Sequence, residues 1–146
     1  MRAWTRLLRA HASTTRLLSA QLQADHGLTL NDYEALFLLS REEDQRMKRV
    51  DLSRRLLLTP SGVTRLLEGL ERADLVERAE CSVDRRITYA QLTAKGREKL
   101  EAASGAHVAS ICELLENHLS AVEIEQLATA LGKLPDVATG DESCTP

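Results

Sequence analysis

The run DLSRRLLLTPSGVTRLLEGLERADLVERAECSVDRRITYAQLT, residues 51–93, parses into a short helix, a tight turn, a second helix and a β-hairpin with a basic tip. At the turn, Thr59 suits an N-cap and Pro60 suits the first helical position, where the missing N–H costs nothing. Val63, Leu66, Leu67 and Leu70 then recur at helical spacing and predict one buried face. Ser61, Thr64, Arg65, Glu68 and Arg72 are left turned away from it. A helix whose free face carries small hydroxyls and arginines fits the floor of a DNA major groove. The arrangement points to a winged helix-turn-helix that reads double-stranded DNA.

Charge supports this. The chain of 146 residues has a formal net charge of −3. Residues 46–97, however, carry 12 Lys+Arg against 7 Asp+Glu, a net of +5. Residues 98–146 carry 2 against 9, a net of −7. Such a polarity is expected where only the middle of a chain faces phosphates, although by itself it also fits an ordinary solvated surface.

Outward from the middle, residues 1–25 predict a helix with Trp4, Leu7, Leu8, His11, Thr15, Leu18 and Leu22 on one stripe, ended by Gly27. Asn31 and Glu34 have capping-box spacing for a helix to about Ser40, and residues 47–50 suit a short strand that pairs with the later hairpin. Asp51 is a candidate N-cap for a helix over 52–58, and the second helix should reach about Ala73. Strands are expected at 75–79 and 87–92. Thr93 caps a long helix reaching about Leu119, and Ser120 with Glu123 opens a last helix that runs to Leu134, before Pro135.

In the long helix Leu100, Ala103, His107, Ile111, Leu114, His118 and Leu119 continue a stripe too long for the small basic lobe to cover. Pairing the termini of two copies would cover it and would set two recognition helices across a two-fold axis. The expected fold is mainly α with a small β-hairpin wing. Residues 29–92 form the winged helix-turn-helix lobe, and residues 1–28 and 93–146 form a helical dimerisation region. The expected partner is a palindromic operator.

The residues 58–67 (LTPSGVTRLL), with Leu70-Glu71, Leu75-Val76-Glu77-Arg78, Asp84-Arg85-Arg86 and Leu92-Thr93-Ala94-Lys95-Gly96, resemble the MarR family of bacterial transcriptional regulators. The helix order on both sides extends the resemblance over nearly the whole chain. It implies an obligate homodimer with intertwined terminal helices. It also implies a repressor released by a small ligand or by oxidation.

For reading DNA, Ser61, Thr64 and Arg65 lie in the first two turns of the recognition helix. Arg65 can contact guanine O6 and N7 in bidentate fashion, while the hydroxyls can meet bases or phosphates. The ordinary alternative for Arg65 is a weak surface pair with Glu68. Asp84-Arg85-Arg86 matches the family's Asp-x-Arg wing. There the resemblance makes Arg86 the minor-groove arginine, Asp84 its salt-bridge support and Arg85 a phosphate contact. Alone, the tripeptide would read as a hydrophilic turn. Arg54 and Arg55 are candidate backbone contacts.

Family members commonly bind aromatic acids or phenols between the dimer helices and the DNA lobe. Arg9, His11, Arg16, Tyr33 and Phe37 are candidates for such a cleft here, an arginine for a carboxylate and a ring for stacking. The alternative is a cysteine redox switch. Cys81 lies beside the basic wing, where arginines favour thiolate, but the reactive first-helix cysteine of the family's peroxide sensors is missing. Cys112 falls in the long helix and Cys144 in the tail. His107 and His118, three helical turns apart, stand about 16 Å from each other, too far to share a metal ion, so no metal or other cofactor is expected. There is no phosphate-cradling glycine loop, nucleophile elbow or HExxH, so no enzyme is expected. A winged helix that binds protein remains the other alternative. No apolar run approaches the roughly 20 residues of a membrane span, and arginines interrupt the N-terminus, so a cytoplasmic protein is expected.

Overall fold

The computed structural model describes residues 1–80 and 88–134. Cys81, Asp84, Arg85 and Arg86 of the wing and Cys144 of the tail lie outside the described residues. The chain divides into two compact units, Met1–His107 and a second that begins at Val108. The described elements are α1 (Arg2–His26), α2 (Leu30–Ser40), β1 (Arg46–Lys48), α3 (Arg49–Arg55), α4 (Pro60–Arg72), β2 (Val76–Glu80), β3 (Thr88–Leu92), α5 (Ala94–Glu116) and α6 (Ala121–Leu131).

Helix α1 stops at Gly27, which takes the left-handed conformation at φ 65°, open to glycine without a steric cost. The next helix starts earlier than the Asn31/Glu34 spacing predicts. Its N-cap is Thr29: the Thr29 hydroxyl accepts from the Asp32 amide (3.1 Å), and the Asp32 carboxylate accepts from the Thr29 amide (2.8 Å). Leu28 and Tyr33, placed to staple this box on either side, are both buried. That burial favours the 29/32 pair over the 31/34 pair.

A second boundary also moves. Helix α3 begins at Arg49, because β1 runs straight into it with Lys48 as an extended N-cap. Asp51 is therefore no cap. It lies in the first turn, where a carboxylate faces the positive end of the helix dipole. The last helix ends at Leu131, before the predicted Leu134.

The sheet is antiparallel with order β1-β3-β2, in register at Met47 opposite Ala90 and Val76 opposite Leu92. These four side chains are buried, and they join Leu36, Leu39, Leu52, Val63 and Leu67 in the core. The predicted strand before the helix-turn-helix thus pairs with the hairpin, and α4 buries the face that its spacing predicts, save that Leu66 is only half-buried.

The α4–β2 turn is fastened to the start of α5. Thr93 caps α5 by accepting from the Gly96 amide (2.9 Å), and it donates to the Asp74 carbonyl (2.7 Å). Lys95 donates to the Ala73 carbonyl at 2.8 Å. Gly96 must be glycine, since a Cβ there would run into the Leu75 carbonyl oxygen. The turn that follows α4 is therefore tied to the start of α5 by side chains bonded to its backbone carbonyls.

Candidate nucleic-acid interface

Helix α4 is held at its start and along one face. Thr59 accepts from the Gly62 amide at 3.1 Å and Pro60 occupies the first turn. Val63, Leu67 and Leu70 fix the inner face. Ser61, Thr64, Arg65, Glu68 and Arg72 are all exposed on the other. Within that face the Thr64 hydroxyl donates to the Pro60 carbonyl (2.9 Å), which leaves its oxygen lone pairs for an external donor. The Ser61 and Thr59 hydroxyls stand 3.2 Å apart. Arg72 Nε donates to the Glu68 backbone carbonyl at 3.0 Å, which folds Arg72 back along the helix. Among the described residues Arg65 makes no salt bridge, and the pair with Glu68 does not form. A guanidinium so placed can extend into a groove.

The flanking cations differ from one another. Arg54 is exposed and only loosely paired with Asp51, at 3.4 Å. Arg55 is tied to Glu42 at 3.1 Å. Arg46, on β1, pairs with Asp44 at 2.9 Å and stacks over the Tyr89 ring at 5.2 Å. A phosphate approaching Arg55 must compete with Glu42, whereas Arg54 is freer to turn.

A hollow of about 640 Å³ opens between α1, α2 and the end of α3. His11 and Thr15 come from α1, Asn31, Glu34 and Phe37 from α2, and Arg55 from α3. Glu34 keeps an exposed surface, yet the protein atoms crowded about it displace enough water to push its carboxyl above the ordinary value, with His11 acting in the opposite direction. The hollow thus offers a ring, aliphatic walls, an amide, a hydroxyl and groups of both charges.

Of the five residues predicted for a ligand cleft, His11 and Phe37 line this hollow. Arg16 borders a shallower depression along α1. Arg9 is exposed on α1. Tyr33 is a core residue: its hydroxyl donates to Ser104 Oγ (3.2 Å), and its ring lies 4.5 Å from that of His107 and 6.3 Å from that of Phe37. Burial holds His107 below its ordinary value of 6.5. Sequence inspection overlooked Thr15, Asn31 and Glu34 as lining residues. The last two read as a helix cap, although Asn31, Glu34 and Phe37 at three-residue intervals share one helix face. Cys112 is exposed on α5. No group of three or more His, Cys, Asp or Glu able to hold a metal ion occurs among the described residues, and no described helix is long and apolar enough to cross a membrane.

Comparison with known proteins places these features in context. Residues 26–87 match the model of the MarR family. The HTH-type transcriptional repressor YetL of Bacillus subtilis (strain 168) is 32% identical over 111 residues, an alignment spanning 76% of this chain and 66% of YetL. The chain therefore spans just under two thirds of that relative's length. The crystal structure of AbsC, a MarR family transcriptional regulator from Streptomyces coelicolor, superposes with a TM-score of 0.80 at 35% identity, covering 88% of this chain and 86% of AbsC. That of Sco3205, a MarR family regulator from the same organism in complex with DNA, gives a TM-score of 0.82 at 25% identity, covering 88% and 80%.

Proposed function

The chain belongs to the MarR family of transcriptional regulators, and we propose that it is a homodimeric repressor that binds a palindromic operator and is released by a small aromatic or phenolic ligand. As a regulator of this family it is not an enzyme. It would act in the cytoplasm, where the chromosome is.

One observation carries the DNA-binding part. Helix α4 is capped and buried along one face, while Ser61, Thr64 and Arg65 stand exposed together on the other. The DNA complex of Sco3205 supports the same use of the fold. In this proposal Arg65 reads guanine and the two hydroxyls meet bases or phosphates. Arg54 and Arg55 contact the backbone, and the wing residues Asp84, Arg85 and Arg86 engage the flanking groove, as the family resemblance implies. The test is an anisotropy titration on an operator duplex over a salt series. Arg65→Ala should weaken binding by about 1–3 kcal/mol and relax specificity at one base pair. Affinity that ignores salt, or that is equal on every duplex, would remove specific DNA binding.

Apolar surface that one chain leaves bare supports the homodimer. Trp4, Leu7 and Leu8 on α1, Val108 on α5 and Val122 and Leu127 on α6 are exposed, and a second copy could cover such faces by symmetry. Residues 1–28 and 93–146 are then the dimerisation region and residues 29–92 the DNA-binding lobe. That YetL bears the name of a repressor supports the sign of regulation.

The ligand belongs in the hollow beside His11, Glu34, Phe37 and Arg55. Its ring would lie against Phe37, while its carboxylate or hydroxyl meets the charged groups. Benzoate and phenol derivatives that bind only the folded state must raise its melting temperature. A melting temperature unmoved by any of them at millimolar concentration would exclude this class.

A further inference from the structure

We propose that Thr93 and Lys95 are positioning residues that set the half-site spacing at which two paired recognition helices read DNA. This rests on the homodimer and its palindromic operator. Three consecutive carbonyls just beyond α4 are each received by the start of α5. The Ala73 carbonyl accepts from Lys95 Nζ (2.8 Å), the Asp74 carbonyl from the Thr93 hydroxyl (2.7 Å) and the Leu75 carbonyl from the Thr93 amide (3.2 Å).

The turn itself is closed tightly. The Asp74 amide donates to the Glu71 carbonyl (3.0 Å) and the Leu75 amide to the Leu70 carbonyl (2.9 Å), with Asp74 in the left-handed conformation at φ 60°. Carbonyls at a helix C-terminus lack intrahelical donors, so they are open to donors from elsewhere, and a lysine there also meets the negative end of the helix dipole. Gly96 completes the fit: the Leu75 carbonyl oxygen lies where its Cβ would stand, so α5 starts hard against the turn.

Apolar packing alone would not fix this joint. Leu92, Leu100 and Ala103 also tie β3 and α5 to the core, but apolar attraction is non-directional and tolerates rotation of a helix about its axis. Hydrogen bonds need alignment. Three of them to one turn fix both the rotation of α5 and its register against the end of α4. The Lys95–Asp74 ion pair, at 3.5 Å and exposed on both sides, adds little, so the joint rests on the carbonyl bonds. In the dimer each recognition helix is carried by its own α5. One base pair inserted between half-sites displaces the second by about 3.4 Å and turns it by roughly 34° about the duplex. A joint fixed in rotation cannot follow that turn, whereas a loosened one can.

The probe is a palindromic duplex selected by the unsubstituted protein from a random-sequence pool, with versions carrying one base pair more or fewer between the half-sites. Affinities are read by anisotropy. Lys95→Met keeps the aliphatic stem and loses the donor; Lys95→Ala replaces it if Lys95→Met fails to give a cooperative melt. The unsubstituted protein should bind the altered spacings about a hundredfold more weakly than the selected one, and Lys95→Met less than about tenfold more weakly. Lys95→Arg and Thr93→Ser, which keep a donor, should retain the full penalty, whereas Thr93→Val should narrow it. A base change inside one half-site should cost Lys95→Met and the unsubstituted protein the same, because the reading face of α4 is untouched. An equal spacing penalty in Lys95→Met and the unsubstituted dimer would overturn the proposal. So would a variant that loses base discrimination together with spacing discrimination, since that is general destabilisation. Sedimentation separates these failures from that of the reading beneath them: an unsubstituted protein that is monomeric and indifferent to spacing removes the homodimer, and the proposal with it.

Discussion

Helices α4 and α6 have similar lengths, 13 and 11 residues, and each begins at a hydroxyl cap. At Ser120 the cap is a full box, and its hydrogen bonds hold the Glu123 carboxyl below the ordinary carboxylate value. Yet α4 buries Val63, Leu67 and Leu70, whereas α6 buries no residue, with Val122 at 66% exposure and Leu127 at 41%. Helix α6 is the richer in alanine and branched aliphatics, so composition alone would rank the two the other way. Local signals make both helices, but only a partner can cover an apolar face. Helix α4 finds its partners inside its own lobe, whereas α6 keeps its apolar face bare, the face that the proposed dimer would cover.

Core truncation should separate the two most sharply. Leu67→Ala is expected to lower the unfolding free energy by about 2–5 kcal/mol, because the fully buried leucine leaves a cavity that the lobe cannot close. Denaturant titration reads this. The pair Val122→Asp and Leu127→Asp should leave lobe packing intact and instead lower the solution mass from dimer to monomer, as judged by sedimentation. A monomeric unsubstituted protein, or dimers that survive both aspartates, would end the contrast.

Two glycines sharpen it further. Gly96→Ala should destabilise by about 1–3 kcal/mol, since its Cβ meets backbone that is pinned by Thr93 and Lys95. Gly69→Ala on α4, with open space around the new methyl group, should stabilise by about 0.5–1 kcal/mol. Thermal melts of the two variants should move in opposite directions.

The smallest effect concerns pH. The folded chain favours neutral His107, whose pKa lies below 6.5. As pH falls below that value, the unfolded chain takes up a proton that the folded chain resists, and stability drops until the lowered folded pKa is passed. Glu34 acts in the opposite sense: its raised pKa favours the folded state at low pH, a contribution lost as pH rises through the folded value. Comparing His107→Gln with the unsubstituted protein removes the Glu34 contribution. The variant should lose less melting temperature between pH 7.5 and 5.5, and identical losses would dismiss His107 as a contributor.

Much of the lobe was legible in the residues. Thr59-Pro60 and the spacing of Val63, Leu67 and Leu70 are local signals, because a cap and a helix face each involve neighbours three or four positions apart. The same reasoning misplaced the starts of α2 and α3. Positions 29/32 and 31/34 satisfy the same capping rule, and only the burial of Leu28 and Tyr33 chooses between them. The hollow was the least legible part. Its walls join Thr15 to Asn31 and Arg55, residues far apart in the chain, and no spacing rule reaches that far.

By itself, then, the sequence determined which segments form helices and strands, which face of α4 is apolar, and which of its residues stay exposed, since each depends on short-range periodicity and capping chemistry. Tertiary structure alone decided that Tyr33 belongs to the core, that Arg55 is shared between Glu42 and the hollow, and that Thr93 and Lys95 meet the turn after α4. Those outcomes depend on which distant segments meet, and a side chain's role changes with the neighbour that packing gives it.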